Sequence, residues 1–285
     1  MFQTSSFATS EVELHIARGP AHGAPLILLH GVVRRWQDFL PITSALSARW
    51  ELLGVDQRGH GRSGHVERAY AVADYARDTV ALLRHGIAEP AVIYGHSLGA
   101  MVALAAAAHA PDHVRALVLE DPPCETLGRR IQQSTYPQMF AAWQRLALAN
   151  LSAPQLAAEM ANVVLTRPDG THTRIGDVRD ETSLRFTASC LNQIDPDVLE
   201  PFANGTWYDG YDLTTYVSHV RCPVLILQAD PTAGGMLSDD DATHLTAGLA
   251  DAMRIRFPNT GHLIHWEAPD ATLRHVLAFL ESLGS

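Results

Sequence analysis

The sequence predicts an α/β protein, a doubly wound and mostly parallel sheet in two pieces with an all-helical segment inserted between them. Three observations carry this. Short continuous apolar runs, such as Pro25–Leu29 and Ala91–Tyr94, alternate with helix-patterned stretches, as in a sheet covered on both faces. From Cys124 to about Val217, helical patterns follow one another without a convincing strand. At Cys222–Gln228 the buried-strand signal returns and the alternation resumes.

Each element has a local reason. Val12–Ala17 alternates and reads as an edge strand, and Pro25–Leu29 is a buried strand running into the turn His30-Gly31. Gln37–Ala48 has helical spacing, Glu51–Asp56 is a strand, and Gln57–Gly64 is a glycine-rich loop. Ala73–Gly86 is a helix stopped at its glycine. The strand Ala91–Tyr94 runs at once into a helix from Leu98 to Ala108, and the strand Val114–Glu120 is halted by Asp121-Pro122-Pro123. In the insert, Gly128–Asn150 is helical, and Ser152 with Pro154 opens a helix to Leu165 through a good N-cap and an early proline. Arg167-Pro168-Asp169-Gly170 is a turn, Arg179–Ile194 a third helix, and Asp195-Pro196-Asp197 the start of a short fourth. The aromatic stretch Asn204–Asp212 leads back to the core, where helix Asp239–Ala250, strand Ala252–Phe257 and helix Asp270–Leu283 complete the pattern. The expected division is core 1–123, helical cap 124–217 and core 218–285.

Composition narrows the function. In 285 residues the formal net charge is −10, with no basic run, so a nucleic-acid partner is not expected. No apolar run is long enough to cross a bilayer, and no basic flank precedes an apolar stretch at the N-terminus, so neither a membrane partner nor a signal peptide is expected. Cys124, Cys190 and Cys222 are odd in number and lack metal-ligand spacing, which suits a reducing cytoplasm. The expected partner is a small-molecule substrate, with no metal and no cofactor.

The chemistry centres on Gly95-His96-Ser97-Leu98-Gly99, a G-x-S-x-G match placed between a strand and a helix. A serine on so sharp a turn is forced into a strained backbone, lifted clear of the sheet at the positive end of a helix. An alcohol is a poor nucleophile near neutral pH and needs a base within hydrogen-bond reach. His262 in Gly261–Pro269, between the last strand and the last helix, is the candidate; His265, three residues on, is aimed elsewhere.

Taken together, His30-Gly31, Asp56–Ser63, Gly95–Gly99 and Gly261–Pro269 resemble, in order, four motifs of the α/β-hydrolase fold family. The resemblance spans nearly the whole core and implies a helical cap over a serine, acid, histidine triad in that chain order. It places the oxyanion donors at the backbone N–H groups of Val32 and Leu98, and the acid beyond the penultimate strand. There the chain departs from the pattern: the familiar position falls near Gly234 or Gly235, so Asp230 is the nearest carboxylate. Glu120 or Asp121, a position some relatives use, is the alternative. His30 and His96 read as buttresses of the two turns, and His60 and His65 as members of an exposed loop.

Trp36, Met139, Trp143 and Trp207 are candidates to line an apolar substrate pocket above Ser97. Arg34-Arg35 is a solvated basic turn or an anchor for a substrate carboxylate. The expected activity is a cofactor-independent serine hydrolase that cleaves an ester or lactone through an acyl-enzyme. Carbon–carbon bond hydrolysis, perhydrolysis and a receptor without turnover remain open. Epoxide hydrolases and dehalogenases of this fold carry an aspartate where Ser97 stands.

Overall fold

The computed structural model describes residues 2–284. The first half of the core contributes strands β1 (Gln3–Ala8), β2 (Glu13–Arg18), β3 (Pro25–Leu29), β4 (Glu51–Val55), β5 (Ala91–His96) and β6 (Val114–Glu120). The insert carries a small antiparallel hairpin of β7 (Val164–Thr166) and β8 (His172–Arg174), and the core ends with β9 (Val224–Ala229) and β10 (Ala252–Phe257). The eight core strands form one sheet in the order β1-β2-β4-β3-β5-β6-β9-β10. The pairs β1–β2 and β2–β4 are antiparallel and every other pair is parallel.

Strand side chains alternate between two apolar layers, as a period of two demands. Ile27, Leu29, Ile93, Leu117 and Ile226 face one layer, packed with helices Val72–His85 and Leu98–His109. Leu26, Leu28, Tyr94, Val118 and Leu227 face the other, packed with helices Leu40–Leu46 and Pro269–Ser282. Ten residues of helix Leu98–His109 are buried, so it is apolar all round; its alanines let neighbouring elements approach closely.

Three local expectations change. The strand predicted at Val12–Ala17 is not the edge: β1 lies outside it, a polar and largely exposed strand with no apolar alternation to reveal it. The insert is not all-helical, because β7 and β8 pair across the turn at Arg167–Gly170. Its helices are also shorter than predicted, at Tyr136–Ala147, Ala153–Asn162 and Glu181–Leu191.

The insert is tied to the core by specific polar contacts. Asp195 N–H donates to Gly59 O at 2.7 Å, and Tyr70 Oη–H donates to Asp195 Oδ2 at 2.6 Å. Tyr211 Oη–H donates to Met101 O at 2.9 Å, and Arg35 donates to Gln193 Oε1 at 2.8 Å. The Asp56–Ser63 segment is held from both sides: Asp56 accepts from Trp36 N–H at 2.9 Å, while Arg58 grips Asp78 of helix Val72–His85 through two bonds of 2.6 and 2.7 Å. No described helix is long and apolar enough to cross a membrane.

Candidate active site

Ser97 sits between β5 and helix Leu98–His109 with φ 55° and ψ −118°, in a region L-residues rarely adopt. Such a backbone costs on the order of 1–3 kcal/mol and persists only where its surroundings enforce it. Here they do: Ser97 N–H donates to Glu120 O at 2.9 Å, a Cβ on Gly95 would overlap the Gly99 carbonyl, and one on Gly99 would overlap the Leu29 carbonyl. Gly99→Ala is therefore expected to destabilise the fold by about 3 kcal/mol, read as a lowered urea midpoint.

The His30–Val33 loop lies directly against the elbow. A Cβ on Gly31 would come within 3.1 Å of Ser97 Cβ and 3.0 Å of His96 Nδ1. Val33, at φ 57°, turns its N–H to His60 Nε2 at 3.4 Å. The neighbouring Val32 N–H has no acceptor among the described residues. Leu98 N–H is the first amide of its helix and belongs to the set that no helical carbonyl satisfies. His30 and His60 hold this loop as neutral imidazoles. His30 Nδ1–H donates to Gly31 O at 2.8 Å while its Nε2 accepts from Gln57 N–H at 3.0 Å. Burial pushes His30 down and His60 down to about 3. His60 is thus buried beneath the oxyanion loop, not exposed as its glycine neighbours suggested.

His262 lies in the loop after β10, and its Nδ1–H donates to Asp121 Oδ2 at 2.6 Å. The sequence placed Asp230 opposite this histidine; the structure puts Asp121 there. Asp230 closes its own turn, accepting from Thr232 N–H at 2.9 Å, Thr232 Oγ1 at 2.7 Å and Asn259 N–H at 2.9 Å, and the Thr232 bonds hold its carboxyl below the usual range. Sheet order supplies the reason: β6 is paired directly with β5, whereas β9 is one strand further from the elbow. The loop after β9 serves Asp121 in another way, with amides. Ala229 and Leu237 N–H donate to Oδ1, each at 3.2 Å, and Met236 N–H donates to Oδ2 at 2.7 Å. A fully buried carboxylate is thereby solvated by backbone. His96 Nε2–H donates to His262 O at 3.1 Å and so ties the histidine loop to the residue before Ser97.

Directly beneath lies a second cluster, which the sequence did not reveal. His265 Nδ1–H donates to Glu120 Oε1 at 2.7 Å, its Nε2 lies 3.5 Å from Asp38 Oδ2, and Tyr94 Oη–H donates to Glu120 Oε2 at 2.6 Å. Burial opposes charge on His265, but Glu120 and Asp38 outweigh it and lift the imidazole to about 10. Burial likewise raises Glu120, but His265 outweighs it and holds the carboxyl at about 2. The result is an imidazolium between two carboxylates, fixing Glu120 next to Asp121 and His265 three residues from His262.

The predicted pocket residues divide. Trp207 is fully buried inside the insert, stacked on Phe202 with Nε1–H donating to Leu127 O at 2.7 Å, so it is insert core rather than pocket wall. Trp36 packs on β4 against Gly54 and Phe2, a position that keeps its ring in the sheet layer. Met139 is buried in the apolar cluster that runs from one face of the sheet into the insert. Trp143 is buried too, but its Nε1–H has no protein acceptor, and the Arg179 guanidinium lies 5.6 Å over its ring. Arg34 is buried with its guanidinium over Phe186 and Trp266, while Arg35 ties to the insert at Gln193 and Ser189. No group of three or more His, Cys, Asp or Glu among the described residues is placed to hold a metal ion.

A family model described as alpha/beta hydrolase fold matches residues 24–269. The chain is 39% identical over 104 residues to the 2-(acetamidomethylene)succinate hydrolase of Mesorhizobium japonicum, a match covering 36% of this chain and 37% of that one. It is 36% identical over 275 residues to the magnesium-chelatase 30 kDa subunit of Rhodobacter capsulatus, covering 93% of this chain and 90% of that one. Among solved structures it superposes on E-2-(acetamidomethylene)succinate hydrolase with a TM-score of 0.75, at 23% identity over 99% of this chain and 100% of that one. With a mostly parallel sheet, a serine elbow and that match from residue 24 to 269, the chain belongs to the alpha/beta hydrolase fold family.

Proposed function

We propose that the protein is a serine hydrolase that cleaves a small carboxylic ester or lactone through an acyl-enzyme. The observation that carries this is the 2.6 Å hydrogen bond from His262 to a buried Asp121, set beside a serine held at φ 55°. Hydrolases among the relatives, including an esterase/lipase and carbamate hydrolases by name, support the reaction class.

In this reading Ser97 Oγ attacks the acyl carbon as His262 Nε2 takes its proton. Ser97 Oγ has no hydrogen bond among the described residues, and the proton transfer needs His262 Nε2 to come within hydrogen-bond reach of it once substrate is positioned. Asp121 keeps Nδ1 protonated, so that Nε2 is free to accept, and stabilises the imidazolium that forms. Negative charge on the carbonyl oxygen develops toward the Val32 and Leu98 N–H groups, each such donor contributing about 3–4 kcal/mol of transition-state stabilisation. His262 then protonates the leaving alcohol. It next activates the water that releases the acid and restores Ser97. The three free cysteines support a reducing cytoplasm as the site of action.

The Rhodobacter capsulatus likeness favours a second reading, since that relative is named for a chelatase and not for hydrolysis. In that second reading this chain would bind a small molecule without turnover. Fluorophosphonate labelling separates the two: the hydrolase labels rapidly at Ser97 and Ser97→Ala does not label. A wild-type protein that stays unlabelled, with no turnover on an ester and lactone panel, sinks the hydrolase.

A further inference from the structure

Two guanidinium groups beside the candidate site are poorly matched by acceptors. Arg34 is two residues beyond Val32 in the oxyanion loop, buried, with Nη1 lacking any protein hydrogen bond. Its nearest carboxylate, Asp38, is 3.7 Å from Nε, outside hydrogen-bond range, and already faces His265 and His96. Arg179, on the insert just before helix Glu181–Leu191, is half-buried and forms no ion pair among the described residues. The two carboxylates whose charge reaches it, Asp180 and Glu267, are committed elsewhere, Asp180 to Ser183 N–H at 2.9 Å and Glu267 to Gly261 N–H at 2.6 Å.

These groups face one region. The Arg34 guanidinium lies 5.3 Å over the ring of Phe186, on the helix that Arg179 precedes, and burial and the charge of Arg34 both push the Arg179 guanidinium down. Arg179 stacks over Trp143, whose buried indole N–H is a third donor without an acceptor. Tyr136 stacks on Phe140 at 6.3 Å, and Phe140 meets Trp143 edge-on at 6.0 Å, so the cluster is walled by aromatic rings. Like charges drawn together in a poorly solvated place cost stability unless an anion joins them. Planar guanidinium forks with an added N–H match a carboxylate.

We propose that Arg34, Arg179 and the Trp143 indole N–H form a subsite for a substrate carboxylate, so that this hydrolase acts on acyl compounds carrying a second, free carboxylate. The proposal rests on the hydrolase reading for its reaction and on the donor cluster for its ligand. The carboxylate is bound on the core side by Arg34 and on the insert side by Arg179, with the scissile carbonyl at Ser97. Ligand binding thus bridges core and insert.

The test keeps binding and turnover apart. Calorimetric titration with α,ω-dicarboxylates from malonate to adipate should show binding of at least one member by the wild type, weakened about 10- to 100-fold in Arg179→Gln. Arg179→Lys should recover only part of it, since a point charge replaces a fork. Turnover of the monoethyl esters of the same acids should exceed that of ethyl butyrate in kcat/KM by about tenfold or more, and Arg179→Gln should erase that ratio. Circular dichroism melts establish that each variant is folded, with Arg34→Lys as the second, core-side variant. Equal binding by wild type and Arg179→Gln, or a preference for the charged ester that survives in Arg179→Gln, overturns the subsite even if Ser97 labels. Arg179-dependent dicarboxylate binding upholds it even if Ser97 proves unreactive.

Discussion

Asp121→Asn is expected to lower kcat by about 10³- to 10⁴-fold, while Asp230→Asn stays close to wild type. The carboxylate of Asp121 accepts from His262 Nδ1 at 2.6 Å and from three backbone amides. An asparagine there can turn its NH₂ toward the ring. Nδ1 would then become the acceptor and the proton would move to Nε2, the nitrogen that must receive the serine proton. Nothing comparable happens at Asp230, whose bonds to Thr232 and Asn259 only shape a turn. Saturating ester hydrolysis by both variants, with melts to show that each is folded, is the measurement. A crippled Asp230→Asn beside an active Asp121→Asn would return the acid to the strand end after β9.

The second large effect concerns stability. His265→Ala removes the cation between Glu120 and Asp38 and leaves two buried carboxylates facing each other with less compensation. Breaking a buried ion pair from one side costs about 3–5 kcal/mol. The pH dependence has a definite sign. The folded pKa of His265, about 10, stands above its ordinary 6.5, so its contribution is fully present below pH 6.5 and is lost as pH rises toward about 10. Glu120, held at about 2 against an ordinary 4.5, contributes above pH 4.5 and loses that contribution as pH falls toward about 2. Urea midpoints of the wild type should therefore fall on the alkaline side, and His265→Ala should flatten that slope. A wild-type midpoint that holds constant between pH 6.5 and 10 would refute a charged His265.

What the sequence made legible follows from how local each constraint is. The elbow is written in five consecutive residues, because Gly95 and Gly99 must lack a Cβ for the turn to close at all. Continuous apolar runs such as Pro25–Leu29 announce buried strands by themselves. The acid was not local. Choosing between Asp121 and Asp230 required knowing that β6 pairs with β5 and that Met236 and Leu237 fold back as donors. Trp143, on a helical face, and Trp207, in the aromatic return stretch, read alike as pocket candidates; only packing shows that Trp207 bonds Leu127 while Trp143 leaves its N–H unpartnered. β1 escaped because its exposed residues carry no apolar period. Arg179, a single cation ahead of a helix cap, carried no signal.

The pairing of β6 with β9 has a consequence in time. The edge of β6 is finished only by a strand that begins at Val224, after the whole insert has been made. At about 5–20 residues per second, a ribosome needs about 5–20 s to synthesise that stretch. Throughout it, the half-sheet has an open parallel edge. Glu120 and Asp121 wait at its end for the histidines and amides that will later surround them. Any half-sheet formed before Val224 is made therefore exposes an unpaired strand edge, the kind of surface that templates pairing with other chains, until the last quarter of the chain arrives.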